Sequence, residues 1–502
     1  MTKRATLSEI DGKLRAQLDK DPARAIEGAR KLLDGDADLR SLAAGVLIDG
    51  GAAAGDKAAI EDGIEIFREL VETYPKIPAM RYNLANGVSA LGDLEQFVDV
   101  NWYLSTSHSR REGRSLFASV AHSDCDDDLR AQSATNLANS FWRAHRWAEA
   151  YDAYLEALRY DPTNAIASTG AARVLLRCAR LGLGDRSILM AVAQRHIERS
   201  KLNEHRLREL AGEKAHNLLS SLFDKKMPGG NYPDLSGADA YQQFVAQNRL
   251  TLSLTIEGLD CSLTRWDSLQ IHSVRESLET ECVPPLFAMF NVMKADFLAA
   301  RMLAFKAITE EIPDSGSYGD TLDYAIYGVK QSLLSLAHRA CVDILDKIAV
   351  ATSEYFGLQG KFIYFSSRWY GEKLKGGVLQ WNPELRDAIL KGNTALIALA
   401  ELSLDIEAGG ALHENKVLRH ASTHRFIVVH DIDSKPSRES SFIEHYDLRD
   451  FEESLIRSLR LTRAALLYFV DMVAQHEKAT ENKGVLTVSL AVPQHHEIRG
   501  ND

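Results

Sequence analysis

The stretch ATNLANSFWRAHRWAEAYDAYLEALRYDPTN, residues 134–164, decides how the first half of the chain folds. Its small residues Ala138, Ala150 and Ala157 stand where two antiparallel helices must approach closely. Leu137, Phe141 and Tyr154 are large enough to fill the space between that pair and its neighbour. Pro162 cannot continue a helical hydrogen-bond ladder and ends the second helix. One such pair cannot bury its own apolar face, so neighbours of the same kind must stack on it.

This unit resembles a tetratricopeptide repeat, a class with a 34-residue period. A looser copy, IEDGIEIFRELVETYPKIPAMRYNLANGVSALGDLEQF, begins at Ile60. There Phe67, Leu70 and Pro75 hold the second-helix positions, and Leu84, Ala85 and Val88 open the next unit. An alanine-rich pair around Ala25 to Leu47 precedes it. AIASTGAARVLLRCARLG, after Asn164, reads as a capping helix. These stretches predict a helical solenoid over about 20–215, with the acidic run Asp124, Asp126, Asp127 and Asp128 in an inter-helix loop. A solenoid presents a concave surface that binds a protein or peptide ligand. A packing scaffold or a dimerisation arm explains the same pattern.

Composition sets the class of the whole. The chain has 502 residues, 45% of them apolar and 26% charged, as ordinary globular proteins do. At ~150 residues per domain the length suggests roughly three domains, or two larger ones. Only 12 prolines and 32 glycines favour long helices over an all-β chain. A net charge of -11 disfavours a globally basic nucleic-acid binder. Cys125, Cys178, Cys261, Cys282 and Cys341 are scattered, with no CxxC spacing, which suits a reducing cytoplasm and gives no zinc or redox pair. No apolar run of ~18 residues predicts a spanning helix, and the first residues have no signal-peptide core. A soluble, cytoplasmic protein with no cofactor and no membrane partner is the expectation.

DKKMPGGNYPDLSGADA, 224–240, holds two prolines and three glycines and is the clearest boundary. The division expected is a repeat domain at 1–223, a linker at 224–240, a helical-bundle domain at 241–480 and an extension at 481–502. Within the bundle, helices are predicted at 284–308, 321–358, 384–407 and 447–479. For the second, Leu322, Ile326, Val329, Leu333, Leu336, Ala340, Ile344 and Ile348 recur at steps of three and four, and Gly357 is its stop. Four long antiparallel helices make a bundle. The alternation in 484–498 reads as a strand, with 425–431 as its partner in a small two-stranded patch. The fold class is therefore all-α in the main.

ALHENKVLRHASTHRFIVVHD, 411–431, carries His413, His420, His424 and His430 together with Lys416, Arg419 and Arg425. In an acidic chain this is a local reversal of sign that draws a phosphate-bearing ligand. Arg419-His420-Ala421-Ser422-Thr423-His424 is an Arg, four residues, then a His. With LLSLAHRACVDILDKIAVATSEYFGL and NTALIALAELSLDIE around it, the region 240–475 resembles the HEPN domains. These are helical bundles, commonly metal-independent ribonucleases, and one bacterial subgroup follows tetratricopeptide repeats. Many members carry Asn directly after the Arg, whereas this chain has His420.

The resemblance assigns proton transfer to His424 and phosphate binding to Arg419, with His420 as an auxiliary group and Lys416 and Arg425 as substrate contacts. The residue chemistry agrees. Metal-free RNA cleavage needs a base for the 2′-hydroxyl and an acid for the leaving oxygen. Histidine titrates near neutral pH, and arginine forks onto phosphate oxygens. On one helix Arg419 and His424 stand about 140° apart. HEPN nucleases meet this by joining two motif copies across a two-fold homodimer, which the resemblance therefore implies here. It also implies an RNA substrate and a role in bacterial defence or toxin systems. A metal pair at His420 and His424 lacks the Glu of HExxH and an evident third ligand. A non-catalytic HEPN-and-repeat protein that dimerises or binds RNA or protein is the alternative. No Gly-rich phosphate loop or zinc finger supports a nucleotidyl-transfer enzyme or a direct DNA reader. Arg457, Arg460 and Arg463 line one side of the last helix, either along an RNA path or as a solvated or salt-bridged face opposed by Glu452 and Glu453.

Overall fold

The computed structural model describes residues 2–95, 97–183, 185–223, 235–253, 266–277, 283–360, 363–371, 379–407, 409–411, 426–431, 440–479 and 485–489. Its first part is a run of antiparallel helices: α1 (Thr2–Leu18), α2 (Pro22–Arg30), α3 (Ala37–Ala54), α4 (Lys57–Thr73), α5 (Pro78–Leu94), α6 (Trp102–Ser105), α7 (Ser107–Ala121), α8 (Asp127–Arg143), α9 (Trp147–Tyr160), α10 (Ala165–Leu181), α11 (Arg186–Leu202) and α12 (Glu204–Ser220). Most pack chiefly on their chain neighbours, as stacked helical repeats do.

Local chemistry sets the helix ends. Side chains of Asp21, Asp36, Asp56, Asn164 and Asp185 accept backbone N–H bonds at N-caps. Gly55 and Gly182 take the left-handed C-cap conformation. α9 stops at Tyr160, one residue before Asp161-Pro162. Asp126 caps α8, so of the acidic run Asp127 and Asp128 lie inside the first turn of a helix and not in the loop. They complement the positive end of its dipole. The stretch after Asn164 is α10, and it is paired with α11 rather than left as a lone cap.

The second part is built on α13 (Ala240–Gln247), α14 (Pro285–Thr309), α15 (Val329–Phe356), α16 (Pro383–Leu390), α17 (Thr394–Ile406) and α18 (Leu448–Ala479). α14, α15, α17 and α18 are the long helices of the bundle, and α18 packs against the other three. α15 begins at Val329, eight residues later than its periodicity suggests, because 321–328 forms a loop and a short strand. Gly357 ends it in the left-handed conformation, as expected. Its buried stripe runs through Leu334, Ala337, His338, Cys341, Leu345 and Ile348, while Leu336 is 46% exposed. The predicted 384–407 helix is two helices, broken at Gly392, with Asn393 capping the second.

Among the described residues, five short strands complete the fold: β1 (Ser273–Ser277), β2 (Ala325–Ile326), β3 (Phe426–His430), β4 (Ile443–Asp447) and β5 (Val485–Ser489). β5 is a strand, but it pairs antiparallel with β1 and not with 425–431. β3 instead runs parallel to β4 and antiparallel to β2 in a separate three-stranded sheet. The alternation within 484–498 marks a strand but says nothing about which segment pairs with it.

The apolar core is continuous from the later repeats into the bundle, from Ala85 through Trp147 and Ile197 to Phe290, Ile344 and Val473. Trp147 packs edge-on to Tyr468, with ring centroids 5.8 Å apart. The arginines of α18 serve this join. Arg463 is wholly buried and donates to the Thr251 carbonyl at 2.7 Å, and Arg460 donates to the Asn248 carbonyl at 2.9 Å. Desolvation lowers the pKa of both. Arg463 also lies 3.6 Å from Asp152, and Arg457 lies 3.8 Å from Glu453, so the salt-bridged reading holds for these two, with Asp152 rather than Glu452 opposing the first.

Among the described residues no helix is long and apolar enough to cross a membrane.

Candidate functional site

Arg419, His420, His424, Lys416 and Arg425 all lie in 412–425, outside the described residues, as does His413. The structure gives the ends of that segment. Ala411 lines a cavity of about 380 Å³ between α7, α8, α9 and α18, with His122, Asp152, Glu156, Arg457 and Arg460. Phe426 opens β3 on the far side, where its N–H donates to the Phe442 carbonyl at 2.8 Å. The described residues that flank the motif segment thus lie at the join between repeats and bundle and in the three-stranded sheet.

β3 reads Phe-Ile-Val-Val-His and ends in buried Val429 and His430. Branched residues favour the pleated backbone, and β4 leads directly into α18, which anchors the sheet. The outer ends stay apolar and open: Phe426 is 71% exposed and Phe442 67%.

Of the four histidines in 411–431, His430 is the described one, and it is 2% exposed. Its Nδ1 lies 2.9 Å from the carbonyl oxygen of Asp323, and its Nε2 lies 2.8 Å from Nδ1 of His445 on β4. A carbonyl only accepts, so Nδ1 of His430 carries a proton, and in the neutral ring Nε2 then presents a lone pair. His445 donates to it. The Asp323 carboxylate accepts from the Thr321 hydroxyl and from the Ala325 N–H, and the hydroxyl bond above all holds its pKa below the usual range. Ligating atoms of Asp323, His430 and His445 lie within 4.8 Å of one another. This constellation is not legible in the sequence, because its members come from three separate segments joined only by sheet pairing. His430 stands out there as one histidine of four, with nothing to indicate its partners.

A second group of functional interest ties the repeats to the bundle. On α7, Arg114 grips Asp405 of α17 through Nε and Nη2, each 2.8 Å from a carboxylate oxygen. Its Nη2 also lies 3.1 Å from Glu401. Arg110 pairs with Glu401, and Arg146, at the α8–α9 turn, pairs with Asp405 and with Glu149. Burial alone would raise the Asp405 pKa, but Arg114 and Arg146 hold it below the usual carboxylate range. α17 is also the last helix before the motif segment.

His338, in the middle of α15, is likewise buried, with Nε2 3.0 Å from the Ser458 hydroxyl of α18. Burial pushes its pKa down to about 4, so it is a neutral core group.

No curated protein matches the chain. The family model of the LA2681-like HEPN domain matches residues 277–476, which contain α14 to α17, all but the last turn of α18, the three-stranded sheet and the Arg419–His424 motif. Residues 277–476 are a HEPN domain.

Proposed function

We propose that the chain is a metal-independent RNA endonuclease in which Arg419 and His424 act at a composite site formed by two protomers. The observation that carries this reading is the Arg-x4-His motif inside a HEPN domain, since domains of this kind commonly cut RNA. His424 moves the proton of the 2′-hydroxyl or of the leaving oxygen. Arg419 offsets the charge of the phosphorane, with His420 beside it and Lys416 and Arg425 contacting the RNA backbone. Homodimerisation places two motif copies on one phosphate. The exposed Phe426 and Phe442, at the point where the motif segment enters the sheet, offer apolar surface for that contact.

The helical repeats serve as the sensor or partner-binding module of a bacterial defence or toxin-type system in the cytoplasm. Their inner surface supports this. A cavity of about 910 Å³ between α1, α3 and α5 is lined by Asp11, Asp38, Asp49, Asn83 and Asn86. Arg15, which also lines it, pairs with Asp11 at 2.9 Å, and the remaining amides and carboxylates are of the kind that hydrogen-bond an extended peptide backbone.

The test is cleavage of total RNA by purified protein in the presence of EDTA. Arg419→Ala and His424→Ala should each abolish it. Cleavage that survives both substitutions removes these residues from the site. A folded wild-type dimer that binds RNA or a partner without cutting favours the non-catalytic alternative.

A further inference from the structure

Asp323, His430 and His445 take no part in the nuclease reading, yet they converge on one point of the three-stranded sheet. We propose that they form a binding site for a divalent transition-metal ion of the zinc class, which fastens the sheet beside the motif segment. The inference stands on these residues alone and does not depend on the chain being a nuclease.

Ligand chemistry comes first. Two imidazoles and one carboxylate suit zinc and its neighbours in the first transition row, whereas magnesium and calcium take oxygen ligands. Orientation comes second. A metal-bound histidine almost always donates its other ring N–H to a carbonyl or carboxylate. His430 does so toward the Asp323 carbonyl, leaving Nε2 aimed into the cluster. Asp323 therefore acts twice, orienting one ligand with its backbone and supplying another with its side chain.

Backbone geometry comes third. Leu322 and Tyr324, on either side of Asp323, hold φ of 58° and 59°. Two non-glycine residues in the left-handed region are strained, and such strain concentrates at ligand sites. The Asp431 N–H donates to the Tyr324 carbonyl at 3.2 Å and holds the turn against β3.

Without an ion, a hydrogen joins Nε2 of His430 to Nδ1 of His445 across 2.8 Å. The ion takes its place. His445 shifts its proton to Nε2, and both rings then present bare nitrogens. Two nitrogens at 2.0–2.1 Å from a tetrahedral ion stand about 3.3 Å apart, so the rings part by roughly half an ångström. His445 is only half-buried and can make that movement, while His430 stays fixed. Three protein ligands leave the fourth position to water.

The consequence is local. The ion ties the 318–328 loop to β3 and β4. β3 begins directly after Arg425, and β4 leads into α18. A loaded site holds β3, the strand that follows the motif segment, in register with the bundle.

The experiment is calorimetric titration of the EDTA-treated, dialysed full-length protein with zinc chloride, with thermal unfolding as a second reading. One ion per chain and a higher Tm with zinc are expected. His445→Ala and Asp323→Asn alter half-buried groups and should leave the apo protein folded. Each should weaken binding at least 10-fold and abolish the zinc-dependent rise in Tm. A His420→Ala/His424→Ala variant should bind as the wild type does. The proposal is overturned if no stoichiometric ion binds. It is equally overturned if His445→Ala and Asp323→Asn bind unchanged, or if the motif variant is the one that loses the ion.

Discussion

Arg114 and Asp405 form a two-pronged ion pair with no solvent access, Nε to Oδ2 and Nη2 to Oδ1 both at 2.8 Å. It links the repeats to the helix that precedes the motif segment. Desolvating both charges is expensive, and the pair is tolerable because Arg146 and Glu401 complete the network. Such a pair contributes little net stability compared with apolar residues, but it tolerates only one arrangement of α7 against α17. Asp405→Ala takes one carboxylate from each of two buried guanidiniums, leaving Arg114 only Glu401 and Arg146 only Glu149, and should cost about 3–5 kcal/mol. A fall in the urea midpoint checks this. An unchanged midpoint would show that the join is held elsewhere. The pH sign follows from the lowered pKa of Asp405. Its contribution is complete above the ordinary aspartate value of 3.8 and is lost as pH falls below it, through the folded-state pKa.

The close approach that defines the repeats is sharpest at Gly170 of α10. A Cβ there would fall inside the van der Waals contact of the Tyr154 ring. That ring is buried, and its hydroxyl donates to Asn139 Oδ1 at 2.6 Å, so it has nowhere to retreat. Gly170→Ala should destabilise the protein by about 1–3 kcal/mol through overpacking, although alanine is the better helix former. Chemical denaturation reads the sign directly. A stabilised variant would mean that α9 and α10 can move apart at no cost.

Much of this fold is legible in the sequence because helical repeats and long helices announce themselves locally. Ala138, Ala150 and Ala157 are all buried at helix contacts, and Pro162 and Gly357 follow the ends they imply. Where sequence and structure part, the cause is tertiary context. Leu322 and Ile326 keep the helical spacing of α15, yet Ala325–Ile326 pairs with β3 and draws the segment out of the helix. Arg460 and Arg463 look like surface charges until carbonyls of 248–251 arrive from another segment. For the site, the motif residues can be named from their spacing and the resemblance it carries. Asp323 and His445 cannot, since only the parallel pairing of β3 with β4 and the turn before β2 bring them to His430.

The composite site makes a prediction about mixed dimers. Arg419→Ala and His424→Ala homodimers should both be silent. A heterodimer of the two, purified through two different tags, keeps one arginine and one histidine and should regain part of the cleavage. If it stays as silent as its parents, the motif acts within a single protomer. In that case the function of the dimer contact lies elsewhere.

One buried histidine and two half-buried ones give the stability of the protein a marked acid dependence. His145, His196 and His338 are each pushed down to about 4, in every case chiefly by burial. In the unfolded chain they titrate near the ordinary value of 6.5. Between pH 6.5 and 4 the unfolded state therefore binds more protons than the native state, and stability falls as pH falls. A tenfold difference in proton affinity corresponds to about 1.4 kcal/mol, so each histidine accounts for up to roughly 3 kcal/mol across that window. His338 is the most completely enclosed, and its Nε2 meets the Ser458 hydroxyl, which also donates to the Ser454 carbonyl at 3.0 Å. His338→Leu keeps that second bond and removes one titrating group. The urea midpoint of this variant should decline less steeply between pH 6.5 and 4 than that of the wild type, whatever its value at pH 7. Identical slopes would mean that His338 is protonated in the native core.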